Sequence, residues 1–246
     1  MTTGDSRERF GSRAPAYAVY RPSYPAAAID AALAGLSDPA ALTIADVGAG
    51  TGISSRLFAE RGAMVIAIEP NQSMRAQAEP HPNVSWLEGS AHDTGLADAN
   101  LDLVVACQAF HWFATPQVMR EFRRVARRRA ALLQYERDER DPFTKAYGEI
   151  VRAYATDDTE ALRQRALEVF AGFPGAEVAR TAAYSVQTLD RQALEGRAAS
   201  SSYLPASGEA ARSLARDLNA LFDSFARDGN VTLHLVTYAL TADFER

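Results

Sequence analysis

Cysteine is almost missing from this chain, Cys107 standing alone among 246 residues. One thiol excludes an internal disulfide framework, and with only four scattered histidines the ligand spacing of a structural zinc site is missing as well. Lysine is nearly as scarce: Lys145 is alone beside abundant arginine, which reads as a coding bias rather than a functional sign. The formal charge is -5, so a broad basic face for neutralising phosphates is not available and nucleic acid is not expected as a partner. The one dense basic run, "RRVARRR" from Arg123 to Arg129, reads as a helix end where cations oppose the macrodipole, with contact to a polyanion as the alternative. Long apolar stretches are missing too. None reaches the roughly 20 residues that a bilayer requires, and the opening "MTTGDSRERFGSR" is polar, so neither a membrane nor an export signal is expected and the cytoplasm is the default location.

What is present suits a globular core, since 47% of the residues are hydrophobic and the length is within the range of one large domain. A single domain over residues 1–246 is expected, with a cap segment at 1–40 and a helical lid insertion at 137–175. The segment "YRPSYPAAAIDAALAGL" passes from proline punctuation into an alanine-rich helix at about Pro25 to Leu36, proline being suited to a first helical turn. "ALTIADVG" then ends an apolar, β-branched run at glycine, as a buried parallel strand does. Further strands are expected at "MVIAIEP", "VSWLE", "LDLVVACQ" and "ALLQYE", with helices near 53–61, at "NQSMRAQA" and at "PQVMREFRRVARR" between them. After the helical insertion come a strand near 177–189, helices near 191–201 and 209–227, and the strand "VTLHLVTYAL". Such alternation predicts an α/β fold: a Rossmann-like, seven-stranded, mostly parallel sheet with helices on both faces, an antiparallel C-terminal strand and a helical insertion after strand five.

Chemistry concentrates at the strand ends. "ADVGAGTGISSRL" places Gly48, Gly50 and Gly52 directly after the first strand, where backbone amides face the crevice of an open parallel sheet. A dinucleotide fingerprint requires G-x-G-x-x-G, but here the third glycine comes one residue early and Ile53 stands where the last should be. Two glycines also suit an ordinary strand-to-helix turn. Glu69 closes the second strand about twenty residues later, where a carboxylate can accept both hydroxyls of a ribose; its other reading is an acid at a helix start.

With "IADVGAGTG", "AIEPNQSM", "GSAHDTGLADANLDLV", "QAFHWF" and "YAVYRPSYP" in this order, the chain resembles the class I S-adenosylmethionine-dependent methyltransferases, and in particular the small-molecule branch of the trans-aconitate methyltransferases. The resemblance implies S-adenosyl-L-methionine as cofactor, with Gly48, Ala49 and Gly50 beside its methionine part, Glu69 on its ribose, and Asp46 orienting the turn or meeting its ammonium. It places Pro70 and Met74 near the adenine, Ser90 and Ala91 at the adenine's polar edge, Gln108 beside the methionine and Arg21 on the cofactor carboxylate. Many relatives carry an acid where this chain has Ser90.

Transfer of a sulfonium methyl needs alignment and exclusion of water, with no metal and no covalent nucleophile. His111 is the candidate general base for a hydroxyl or amine acceptor, packing being its other reading. Trp112 and Phe113 read as pocket wall. A small-molecule acceptor is expected between Tyr17, Tyr20 and Tyr24, the insertion, and "SSSYLP" with Ser201, Ser202 and Tyr203, although these aromatics could simply anchor the N-terminal helix. Two rivals share the glycine turn and Glu69: a nicotinamide-dependent oxidoreductase, and a catalytically silent cofactor-binding sensor or partner subunit.

Overall fold

A computed structural model describes residues 13–173 and 175–244; residues 1–12 of the expected cap and Pro174 of the expected lid lie outside them. Seven strands form where apolar and β-branched residues run together: β1 (Thr43–Val47), β2 (Met64–Ile68), β3 (Val84–Leu87), β4 (Leu101–Cys107), β5 (Ala126–Arg137), β6 (Ala176–Leu189) and β7 (Val231–Phe244). Their order in one sheet is β3-β2-β1-β4-β5-β7-β6. The pairs from β3 through β5 are parallel, and the C-terminal strands pair antiparallel, as expected. The chain winds outward from β1 to β3 and then returns to β4, so β1 and β4 flank the point where the winding reverses. In open α/β sheets ligands bind at the carboxyl ends of the strands at such a point.

The helices are α1 (Ala14–Tyr20), α2 (Ala26–Leu33), α3 (Ile53–Ala59), α4 (Gln72–Arg75), α5 (Pro116–Val125), α6 (Pro142–Tyr154), α7 (Thr159–Ala171), α8 (Arg191–Ala199) and α9 (Gly208–Phe225). Local chemistry starts them. Proline occupies the first turn of both α5 and α6, and the side chains of Thr115 and Asp141 accept from the amides of Val118 at 3.3 Å and Thr144 at 2.8 Å, satisfying donors that a helix start leaves open. The expected helix "NQSMRAQA" shortens to the single turn α4, capped by Asn71.

Two compact units divide the chain. Among the described residues the sheet unit comprises 23–134, 160–173, 175–183 and 237–244, and the helical unit comprises 13–22, 135–159 and 184–236. The insertion after β5 is therefore shared between them, α6 in the helical unit and nearly all of α7 in the sheet unit. In the sheet unit Phe110, just beyond β4, stacks edge-on against Phe113 and Phe170 at 5.7 and 5.8 Å and tilts against Phe122 at 6.0 Å. Each such aromatic pair adds about 0.5–1.5 kcal/mol to its area burial.

The basic run is a helix end only in its first half, where Arg123 and Arg124 lie in the last turn of α5. Helix α5 stops at Val125, and Ala126 already pairs with Leu101, with Leu103 opposite Arg129, so Arg127 to Arg129 belong to β5 and include one residue more than the facing strand. Register on β4 overrides the helical preference of the run. Arg129 is drawn inside, where its guanidinium donates to the carbonyls of Ala32 and Ala34 at 2.9 and 2.7 Å and forks onto both carboxylate oxygens of Asp243, the Nη2 contact being 2.8 Å. One side chain thus closes the end of α2 and ties it to β7. Arg129→Met should lower stability by about 2 kcal/mol, because charge-assisted bonds are lost and a buried carbonyl loses its donor; denaturant unfolding followed by circular dichroism measures it, and an unchanged midpoint would show the clamp to be energetically idle.

Candidate functional site

Within the sheet unit the turn after β1 adopts a shape that only small residues tolerate. Gly48 has φ +73° and Gly52 φ +78°, in the left-handed region where a Cβ is penalised. Space is also missing: a Cβ on Gly48 would lie 2.7 Å from Cβ of Ala109, and one on Gly52 would lie 2.9 Å from the Trp86 ring. The closest occupants of this turn are thus the protein's own side chains. The amides of Gly48 and Ala49 are spent on the carbonyl of Ile68, at 2.8 and 3.1 Å, which holds the turn against the end of β2.

Two buried carboxylates flank this turn. Asp46, in β1, is fully buried, and its Oδ2 accepts from the hydroxyls of Ser54 and Ser55, each at 2.7 Å, while Oδ1 has no hydrogen-bond partner. Burial pushes its pKa up to about 6, against the pull of the two serines, and nearby Glu69 raises it further. Glu69, one residue past β2, accepts from the amides of Gly50 and Asn71, one on each carboxylate oxygen, both at 2.9 Å. Burial also raises its pKa, against those two bonds and Arg75. The Arg75 guanidinium donates to the Glu69 carbonyl. Each Glu69 oxygen keeps a lone pair for a further donor. An orphaned carboxylate oxygen suits an ammonium, and a fixed carboxylate suits a vicinal diol.

The remaining sheet-unit candidates gather at neighbouring strand ends. Met74 is buried on α4, with its Sδ-methyl 3.3 Å from where a Cβ on Gly50 would be; Pro70 is half-buried. Ala91 is buried, and the Ser90 hydroxyl accepts from the Asp93 amide at 3.2 Å. Gln108, immediately after β4, is 8% exposed and has φ +54°, its amide donating to the Leu133 carbonyl at 2.7 Å. Left-handed glutamine is strained, and such strain concentrates at functional sites. His111 and Trp112 follow on a single 3-10 turn (Phe110–Trp112), their rings 4.8 Å apart. The turn is pinned by Phe110 in the core, so His111 is held at 7% exposure. Phe113 packs on the glycine turn, 3.2 Å from where a Cβ on Gly48 would lie. Tyr24 is buried in this unit as well. Cys107 is buried, and burial raises its thiol pKa.

The other candidates lie in the helical unit. Arg21 donates to the Tyr135 hydroxyl at 3.1 Å and to the Ser200 carbonyl at 3.0 Å, and its guanidinium lies 4.9 Å from the Tyr17 ring centre. Tyr20 covers Gly196, where a Cβ would come within 2.3 Å of its ring, so it anchors α1 on α8. Tyr203 is buried, its carbonyl accepting from the Thr156 amide at 2.8 Å. Ser54 and Ser55, which clamp Asp46, were not singled out from the sequence; the signal was the "ISS" after the glycines, two hydroxyls one helical turn from the strand.

The methyltransferase-domain family matches residues 45–133, which contain this whole group of strand ends. A protein of Mycobacterium tuberculosis named an uncharacterized methyltransferase is 33% identical over 243 residues, covering 95% of this chain and 94% of its own. This chain is a class I S-adenosylmethionine-dependent methyltransferase. Solved structures agree in fold: a type II methyltransferase structure from Anaeromyxobacter dehalogenans has TM-score 0.64 at 22% identity, over 92% of this chain and 98% of that one. A methyltransferase from an antibiotic biosynthesis pathway of Anabaena variabilis has TM-score 0.59 at 22% identity, over 85% and 95%. The methyltransferase uses S-adenosylmethionine, and the nicotinamide reading of the glycine turn is set aside. The cofactor carries an ammonium and a ribose diol, the two kinds of donor that carboxylates accept.

Glu69→Ala should weaken S-adenosylhomocysteine binding by about 10–100-fold in calorimetry, the equivalent of two hydrogen bonds to a charged acceptor; wild-type affinity would remove Glu69 from the site. Asp46 adds a pH signature. Its folded pKa lies above the unfolded value, so the folded chain keeps a proton that the unfolded chain releases between about pH 4 and 6, and stability falls as pH rises through that window. Asp46→Asn has no such proton, and its stability relative to wild type should improve by up to about 3 kcal/mol from pH 4 to pH 7. At pH 8 the same variant should bind S-adenosylhomocysteine about tenfold more weakly, whereas equal affinity would show that Asp46 only shapes the turn.

Proposed function

We propose that this methyltransferase transfers the methyl group to a small-molecule acceptor bearing a carboxylate, hydroxyl or amine, by in-line displacement. The observation that carries this reading is the enclosure of the strand-end side chains: His111 is 7% and Gln108 8% exposed, so a group that meets them must be slender. The net charge of -5 supports it, since it disfavours approach of a polyanion.

Bound cofactor supplies an electrophilic methyl on a sulfonium. The protein's part is alignment and dryness. Gln108, held in its strained conformation by Leu133, presents an amide at the end of β4, and the Phe110 cluster prevents the following turn from drifting. His111 accepts the proton that a hydroxyl or amine acceptor must release as its oxygen or nitrogen attacks; a carboxylate acceptor, ionised at neutral pH, releases none. Trp112 and Phe113 supply apolar wall.

Turnover of methyl-labelled cofactor with a panel of small carboxylates, alcohols and amines, alongside RNA and protein acceptors, tests the reading. Label entering only RNA or protein would reject it. With a hydroxyl or amine acceptor, His111→Asn should lower kcat about 100-fold and flatten its pH profile. With a carboxylate acceptor the profile should be unchanged, and an unaltered profile for every acceptor would leave His111 a packing residue.

A further inference from the structure

The helical unit contains a buried cation that no acid among the described residues neutralises. Arg197, on α8, is 6% exposed. Its Nε has no hydrogen-bond partner, and among the described residues its guanidinium makes neither an ion pair nor a hydrogen bond. Its guanidinium lies over the face of the Tyr135 ring, 5.7 Å from the ring centre. A cation–π contact near the outer limit of range leaves the donors of this guanidinium uncommitted.

The surroundings deepen the deficit. The hydroxyl of the same Tyr135 accepts from Arg21, so one tyrosine serves two guanidiniums. Tyr147, also buried, feels Arg197, Arg137 and Arg21 together. The acids nearby in sequence are engaged elsewhere. Glu139 pairs with Arg152 at 2.6 Å and Arg137 at 3.4 Å, Asp138 with Arg140 at 2.6 Å, Asp190 caps α8, and Glu195 accepts from Asn219. Positive charge and phenol hydroxyls are therefore concentrated here, and among the described residues no acid pairs with Arg197. By contrast Arg129, equally buried in the other unit, has Asp243 as its fork partner, which shows what this protein does with a guanidinium that serves only structure.

We infer that Arg197 is the cation of a subsite in the helical unit for a small carboxylate other than the cofactor. A planar guanidinium with its donors uncommitted matches a carboxylate in two parallel hydrogen bonds, and one unneutralised charge matches one carboxylate. The inference assigns a ligand class to residues to which the proposed function gives no role, and it does not depend on His111.

The test uses the full chain, with succinate and benzoate as probes, their neutral amides as controls, and S-adenosylhomocysteine in parallel. In carboxylate-free buffer Arg197→Met should melt no lower than wild type, because it removes an unpaired buried charge. A carboxylate at about a hundred times its Kd should raise the wild-type Tm by about 5 °C or more; the amides should not, and Arg197→Met should lose at least about tenfold in carboxylate affinity while binding S-adenosylhomocysteine as wild type does. Arg197→Lys keeps the charge without the fork and should recover part of the loss. No carboxylate shift in wild type overturns the inference, as does a shift that survives in Arg197→Met. A loss confined to S-adenosylhomocysteine overturns it too, by giving the cation to the cofactor. If Arg197→Met fails to fold, the wild-type comparison of acid with amide decides alone. Carboxylate binding without turnover on any small acceptor would sink the proposed function and leave the subsite standing.

Discussion

Glu69 holds the turn after β1 and the turn after β2 in one piece, because its two carboxylate oxygens each take an amide, from Gly50 and from Asn71. Without that carboxylate two buried or half-buried donors would lose their acceptor, and the glycine turn would be tied to β2 only through the Ile68 carbonyl. The acid thereby holds the structure together and still keeps lone pairs for a further donor. Its placement follows from parallel pairing of β1 with β2, residue for residue from Thr43–Met64 to Val47–Ile68, which brings both strand ends to the same level.

Burial sets the electrostatics of this corner. Asp46, Glu69 and Cys107 are all pushed up in pKa by burial, and Asp46 and Glu69 also repel each other. A cation brought to this corner would relieve that repulsion. Such an arrangement costs stability in the absence of ligand, which is common where a site must be ready before its ligand arrives. Arg197 shows the same economy with the opposite sign.

Much of the sheet was legible because parallel strands buried on both faces read as apolar runs, as in "MVIAI" and "LVVAC". Glycine spacing and the acid twenty residues on marked the candidate site for a related reason: each sits at the end of a strand whose apolar run is read directly from the sequence. Failures came where distant pairing outweighed local preference. "ARRR" has good helix formers, yet hydrogen bonds to β4 make it a strand and turn Arg129 inward. "NQSMRAQA" has the composition of a longer helix and forms one turn.

Local order along the chain therefore determined the element types, the glycine turn, the carboxylate after β2 and the family, since each depends on residues close in sequence. Tertiary structure alone decided the rest. It brought Ser54 and Ser55 onto Asp46, forced Gln108 into a left-handed conformation at the end of β4, and gave Tyr20 to packing against Gly196, 176 residues away. It also left Arg197 without an anion while giving Arg129 one from β7. Whether a buried charge is neutralised depends on which acids the fold carries to it, and residues 114 apart in sequence, as Arg129 and Asp243 are, meet only when the sheet has formed.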